Sequence, residues 1–131
     1  MIFVDSNVPM YVVGADHPSR DVLVRFLEEH PEEDLVTSAE VYQEIVHRHV
    51  AIDRRPAIAD AFALLDGLVV TVFDVARADV DAAHRIALAQ RRLSARDCLH
   101  LAVMSRRGVA RILSMDRGFE AWPGIERLPV G

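Results

Sequence analysis

Four carboxylates in this sequence stand where an α/β chain would assemble a cation site. Asp5 follows Met1-Ile2-Phe3-Val4, Asp116 follows Ile112-Leu113-Ser114-Met115, and Glu44 and Asp97 lie in segments of helical period. A strand that ends in an acid delivers it to the carboxyl edge of a parallel sheet, the edge where open α/β folds bind ligands. Acids gathered at one edge raise each other's pKa, whereas a hard divalent cation holds them as anions. The pattern reads first as a metal-dependent enzyme.

Each acid also has a purely structural explanation. Asp5 can begin a turn by bonding to the backbone two residues on. Asn7 adds a second short polar side chain two residues later, suited both to binding an ion and to holding the loop. Glu40 sits three residues after Thr37 and fits a capping box. Glu44 has no such duty, but it can pair with Arg48 one helical turn on. Asp97 follows Ser94 at the position where an acid favours the helix dipole, and Asp116 opens an Asp-Arg-Gly turn. The weight lies in the set, because two strand ends, one helix start and one helix flank are consistent with a common pocket.

The elements that must position these acids follow from the hydrophobic pattern. Short apolar runs alternate with helical periods throughout, which is the βαβ signature. The pattern predicts a strand over Ile2 to Val4, helices over about Val8 to Val13 and Ser19 to Glu29, and a turn at Pro31-Glu32-Glu33. A strand near Leu35-Val36 leads into a helix reaching about Val50. A helix from Ala57 to Leu65, a strand from Leu68 to Phe73, and an amphipathic helix from Asp79 to Arg92 with Val80, Ala83 and Ala87 on one face come next. Ser94 caps a helix whose Cys98 to Met104 stretch is apolar nearly all round, so it belongs against the sheet. Gly108 ends it. Ala110 to Ser114 and an edge strand near Glu126 to Leu128 complete the sheet. His100 shares a helix face with Asp97 and either borders the pocket or is a satisfied core residue.

The chain of 131 residues fits one domain spanning residues 1–131. No apolar run reaches the roughly 18 residues that span a bilayer, and Met1 to Val4 runs directly into Asp5 without a leader; a cytoplasmic, membrane-free protein is the expectation. The single Cys98 cannot form an intramolecular disulfide and reads as a small buried hydrophobe. A net charge of −5 argues against broad electrostatic adhesion to nucleic acid and shifts phosphate binding to a metal and local cations. All fifteen basic residues are Arg, the better residue for bidentate phosphate contact.

With these residues in place, the motifs MIFVDSNV, SAEVYQEI, LSARDCLHLAVM and ILSMDRGF, in order and spacing, resemble those of PIN-domain proteins, closest to the VapC-type ribonuclease toxins of bacterial toxin–antitoxin pairs. The resemblance extends from Met1 to about Glu120. It implies a three-layer α/β/α fold with a central, mainly parallel sheet of four to five strands. It assigns the acidic quartet to Asp5, Glu44, Asp97 and Asp116, with Asn7 and Ser114 as accessory residues and Glu120 as a further acid. It also implies Mg²⁺ or Mn²⁺ as cofactor, RNA phosphodiesters as substrate, a VapB-type antitoxin as partner, and a homodimer that can enter a larger toxin–antitoxin assembly. On that reading Asp5, Asp97 and Asp116 hold the metal, while Glu44 contacts a second ion or orients the attacking water. Arg96 and Arg117, with Arg106 and Arg107, are the cations nearest the acids in sequence and the candidates for RNA phosphate contact.

Other phosphate chemistries fit less well. Receiver domains and haloacid-dehalogenase-type phosphatases also begin with a strand-end Asp, but both need a lysine, and this chain has none. The phosphatases would further want Asp where Asn7 stands. Nucleotide-binding glycine loops are absent. The remaining alternative is a PIN-like protein-binding module with little or no nuclease activity, in which an apolar segment such as Val22 to Leu27 or Ala57 to Leu65 receives an antitoxin helix.

Overall fold

The computed structural model describes residues 1–130. Its order is β1 (Ile2–Val4), α1 (Asn7–Val13), α2 (Pro18–Glu29), β2 (Leu35–Ser38), α3 (Ala39–Ala51), α4 (Ala57–Leu68), β3 (Thr71–Phe73), α5 (Arg77–Ala89), α6 (Ala95–Arg107), β4 (Arg111–Leu113), a 3₁₀ turn (Arg117–Ala121) and β5 (Glu126–Leu128). The five strands form one sheet in the order β3-β2-β1-β4-β5. Every pairing is parallel, and the register sets Phe3 beside both Val36 and Ile112.

Chain direction over this sheet explains where a site can form. From β1 the chain steps outward to β2 and then β3; from β3 it crosses back over β1 to β4. Right-handed crossovers therefore put the α1–α4 group on one face and the packed pair α5 and α6 on the other, giving three layers. The direction reverses between β1 and β4, and a crevice opens at the carboxyl ends of strands flanking such a reversal. Ile2, Phe3, Val4, Ile112 and Leu113 are fully buried, so these two strands are the rigid centre of the sheet. Asp5 and Ser114 follow them directly.

Local chemistry accounts for most boundaries. Pro18 occupies the first position of α2 behind His17, whose ring accepts from Ser19 N–H at 3.0 Å. Gly108 closes α6 in the left-handed conformation at φ 70°, where a side chain is disfavoured, and its N–H returns to the last turn.

Several expectations are corrected. Thr37 does not cap α3: it lies in β2, and its hydroxyl donates to the Val4 carbonyl at 2.9 Å. Ser38 takes the cap position without a side-chain bond. α4 continues to Leu68, so β3 begins only at Thr71. α5 spans Arg77–Ala89, and its buried face is Asp79, Ala83 and Ile86; Val80 is half-exposed because Asp79 turns inward to pair with Arg106. In the stripes offered as seats for a partner helix, Leu23, Phe26, Ala61 and Leu65 are buried in the core, while Val22 is 43% exposed. Among the described residues no helix is long and apolar enough to cross a membrane.

Candidate functional site

Asp5 leaves β1 at the chain reversal, and three donors fix its carboxylate. Ser114 Oγ donates to Oδ2 at 2.6 Å, Asn7 Nδ2 to Oδ2 at 3.2 Å, and the Ser6 backbone N–H to Oδ1 at 2.7 Å. Asn7 also donates to Ser114 Oγ at 3.0 Å and accepts from Met115 N–H at 3.3 Å. Ser114 Oγ further accepts from Asp116 N–H at 3.0 Å. Asn7 and Ser114 thus tie the end of β1 to the end of β4, and both acids that follow these strands are held by one small network.

Asp116 Oδ1 accepts from Gly118 N–H at 2.8 Å, so the turn expected for Asp-Arg-Gly forms and aims the carboxylate at the same time. Residue 118 has little room for more than glycine: a Cβ there would stand 3.0 Å from Asp116 Oδ1 and 3.7 Å from Asp97 Oδ2. Asp97 reaches this point from the first turn of α6. Ser94 Oγ accepts its backbone N–H at 3.2 Å, which leaves the Asp97 carboxyl to face Asp116.

Glu44 comes from the middle of α3, and here the structure departs from the surface reading. It is buried and does not pair with Arg48. Ser6 Oγ donates to Glu44 Oε2 at 2.6 Å, and His100 Nε2 lies 2.7 Å from Oε1. His100 is fully buried against the Phe3 ring, with centroids 5.4 Å apart. Sequence reasoning left His100 between pocket and core. It is both, a core residue whose polar edge meets the acids. Ser6 was missed, and its only signal was its place between Asp5 and Asn7.

All four acids line one cleft of about 550 Å³. Their protonation reflects the crowding. Burial pushes the Asp5 carboxyl above its ordinary range, against the opposing pull of His100 and Ser114. Burial, then the Asp116 and Asp5 carboxylates, push Asp97 up to about 7. Glu44 goes the other way: burial works to raise it, but contact with His100 and the Ser6 hydroxyl hold it below the usual range. His100 is raised, because the Glu44 and Asp5 carboxylates outweigh the burial that disfavours its charge. The cleft therefore holds protons at neutral pH that a divalent cation would displace. This is a donor set of oxygens suited to a hard ion.

The arginines divide. Arg96 lines the cleft, and so does Arg48, the structural alternative weighed as a partner for Glu44. Arg106 is engaged with Asp79 at 2.6 and 2.7 Å, and Arg107 stands over the Phe73 ring at 5.0 Å. Arg117 follows Asp116 and lies 4.0 Å from Glu120. Glu120 does not line the cleft; it receives Arg127 at 3.0 and 2.9 Å.

Comparison with known proteins adds independent findings. Residues 2–124 match the family model described as PIN domain. Over 130 residues the chain is 52% identical to Ribonuclease VapC13 of Mycobacterium tuberculosis, covering 98% of this chain and 99% of the relative. Among solved structures it is similar to VapC20 of M. tuberculosis, described as a Sarcin-Ricin loop cleaving toxin, with a TM-score of 0.78 and 22% identity over 92% of this chain and 94% of that one. It is also similar to a chain of VapBC2 from Rickettsia felis bound to a DNA fragment from their promoter, with a TM-score of 0.72 and 14% identity over 97% of both chains. At these identities the two structural matches concern the fold.

Proposed function

The chain belongs to the PIN-domain family, among its VapC ribonucleases, and from that premise we propose that it is a metal-dependent endoribonuclease toxin whose acidic cleft hydrolyses RNA phosphodiester bonds. The observation that carries the reading is the meeting of Asp5, Glu44, Asp97 and Asp116, from four separate elements, at the β1/β4 reversal. Mg²⁺ or Mn²⁺, when bound, supplies an activated water and offsets charge on the scissile phosphate and the leaving oxygen.

The chain's own residues do the positioning. Asp5, Asp97 and Asp116 would hold the cation. Asn7 and Ser114 fix Asp5 before any ligand arrives, so little reorganisation is needed on binding. Glu44, kept as an anion by His100 and Ser6, orients the attacking water or receives its proton. Arg96 and Arg48 flank the cleft and take the phosphates on either side of the cut, with Arg117 beyond Asp116. We read the chain as one domain that works in the cytoplasm as a homodimer and is held by a VapB-type antitoxin, alone or in a larger assembly. The family and the toxin–antitoxin complexes among its structural neighbours support this. Light scattering at micromolar concentration tests the dimer, and a purely monomeric mass would reject it.

The deciding experiment incubates antitoxin-free protein and an Asp5→Asn variant with a mixed pool of structured RNAs under Mg²⁺, Mn²⁺ and EDTA, and maps the cuts. Metal-dependent cleavage reduced at least about 100-fold in the variant is expected. Identical behaviour of both proteins across the pool would point instead to a protein-binding module.

A further inference from the structure

Beside the acidic cleft lies a smaller cavity of about 230 Å³, lined by Glu40, Gln43, Glu44, His47 and Arg96. The four residues from α3 stand at i, i+3, i+4 and i+7, so one stripe of that helix forms its wall. Arg96 reaches it from the first turn of α6. Glu44 and Arg96 also line the cleft, so the two cavities share an edge. Glu40, Gln43 and His47 do not line the cleft, and the chemistry there makes no use of them.

Glu40 has lost the capping partner its spacing suggested, because Thr37 bonds across the sheet to Val4. Its half-buried carboxylate makes no hydrogen bond or ion pair among the described residues. An acid in the first turn of α3 suits the helix dipole, but that effect fades beyond the first turn and does not account for Gln43 and His47 beside it. In a cleft that handles RNA, a further carboxylate on the strand's path repels phosphate, unless it accepts donors from the bases. Guanine alone presents two adjacent donors on its Watson–Crick edge, at N1 and N2. Adenine and cytosine present one amino group next to a bare ring nitrogen, and uracil presents one N–H between two carbonyls. An ionised carboxylate accepts and cannot donate, so it pairs with guanine through both oxygens and meets a lone pair on every other base. Gln43 and His47 supply donors for guanine O6.

We propose that the cavity of Glu40, Gln43 and His47 is a guanine pocket. With the phosphate beside the cut held at Arg96, the base of that nucleotide turns into the smaller cavity and sets its Watson–Crick edge on Glu40. The RNA must be unpaired at that nucleotide, since a duplex occupies the same edge. The inference rests on the ribonuclease reading of the cleft and adds to it a base preference.

The test measures binding apart from cleavage. Antitoxin-free protein in EDTA is titrated into fluorescein-labelled uridine decamers that carry a central guanosine, inosine or adenosine. Inosine keeps N1–H and O6 but lacks the N2 amino group. The guanosine decamer should bind at least about tenfold tighter than the adenosine one, the size of one bidentate base contact, with inosine between them. Glu40→Gln should bring the guanosine and adenosine affinities within about twofold of each other. Because Glu40 is unbonded and half-exposed, this variant should fold and melt like the parent. Equal affinity of the parent for the three decamers, no measurable binding to any of them, or a guanine preference that survives in Glu40→Gln would each overturn the proposal. RNA cleavage mapped alongside separates this inference from the ribonuclease reading. A guanine preference without cleavage would retire the latter only, and metal-dependent cleavage with equal affinities would retire the former only.

Discussion

Ser114 carries no charge, yet it holds Asp5, Asn7 and the backbone of Asp116 through one hydroxyl. Replacing it with Ala should lower metal affinity and cleavage about tenfold, the effect expected for a group that orients a ligand. The loss of its buried bonds should reduce stability by about 1–2 kcal/mol, read by calorimetry and by denaturant titration. The carboxyls give a pH signature. Asp97 titrates at about 7 in the fold against an ordinary 3.8, so between these values the folded chain holds a proton that the unfolded chain has lost. Metal-free protein should therefore lose thermal stability as pH rises from about 4 to about 7. Asp5, raised, pushes the same way; His100, raised from 6.5, continues the loss only above about that pH, and Glu44, lowered, opposes only toward acid pH. Melting curves in EDTA test this, and saturating divalent cation should flatten the slope; a rise of stability across that window in EDTA would contradict it. Asp5 and Asp116 were legible in the sequence because each ends an apolar strand. Ser6 was not, and His100 was legible only as either pocket or core, because their partner Glu44 lies on another helix that only the assembled fold brings over.

At the scale of the element, Thr37 is the instructive error. Its spacing to Glu40 suits a cap, but its hydroxyl bonds across to the Val4 carbonyl and stitches β2 to β1 one residue before Asp5. Thr37→Val keeps the shape and removes the bond. It should cost about 1–2 kcal/mol, or a few degrees in melting temperature for a chain of this size, without changing the residues that line the cleft. Gly108→Ala should cost about 1 kcal/mol by forcing a side chain into the left-handed cap of α6, measured in the same way. Helix existence was readable from periodicity and caps, including Gly108 and Ser94. The limits of α4 and the inward face of α5 were not. Asp79 reads as polar and therefore outward, until Arg106 arrives from α6 to pair with it.

For the whole molecule, the alternation of strand and helix gave the α/β class and the family resemblance the three layers, and the sheet proved wholly parallel with five strands. What a linear pattern does not contain is the strand order, and hence the β1/β4 reversal that makes a crevice of two strand ends. On the proposed function, the net charge of −5 bears on how RNA would be held. Without a broad basic surface, only a few arginines near the cleft release counterions, so log K against log salt for an Asp116→Asn variant without metal should have a slope between about −1 and −2. A slope steeper than about −4 would reveal a basic surface not accounted for by Arg48, Arg96 and Arg117. Arg127 has a role of a different kind. From β5 its buried guanidinium donates to the Ser114 carbonyl at 3.0 Å and grips Glu120, bracing from the far end of the chain the residue that steadies Asp5. Loss of Arg127 should therefore loosen Asp5 without removing any group that lines the cleft.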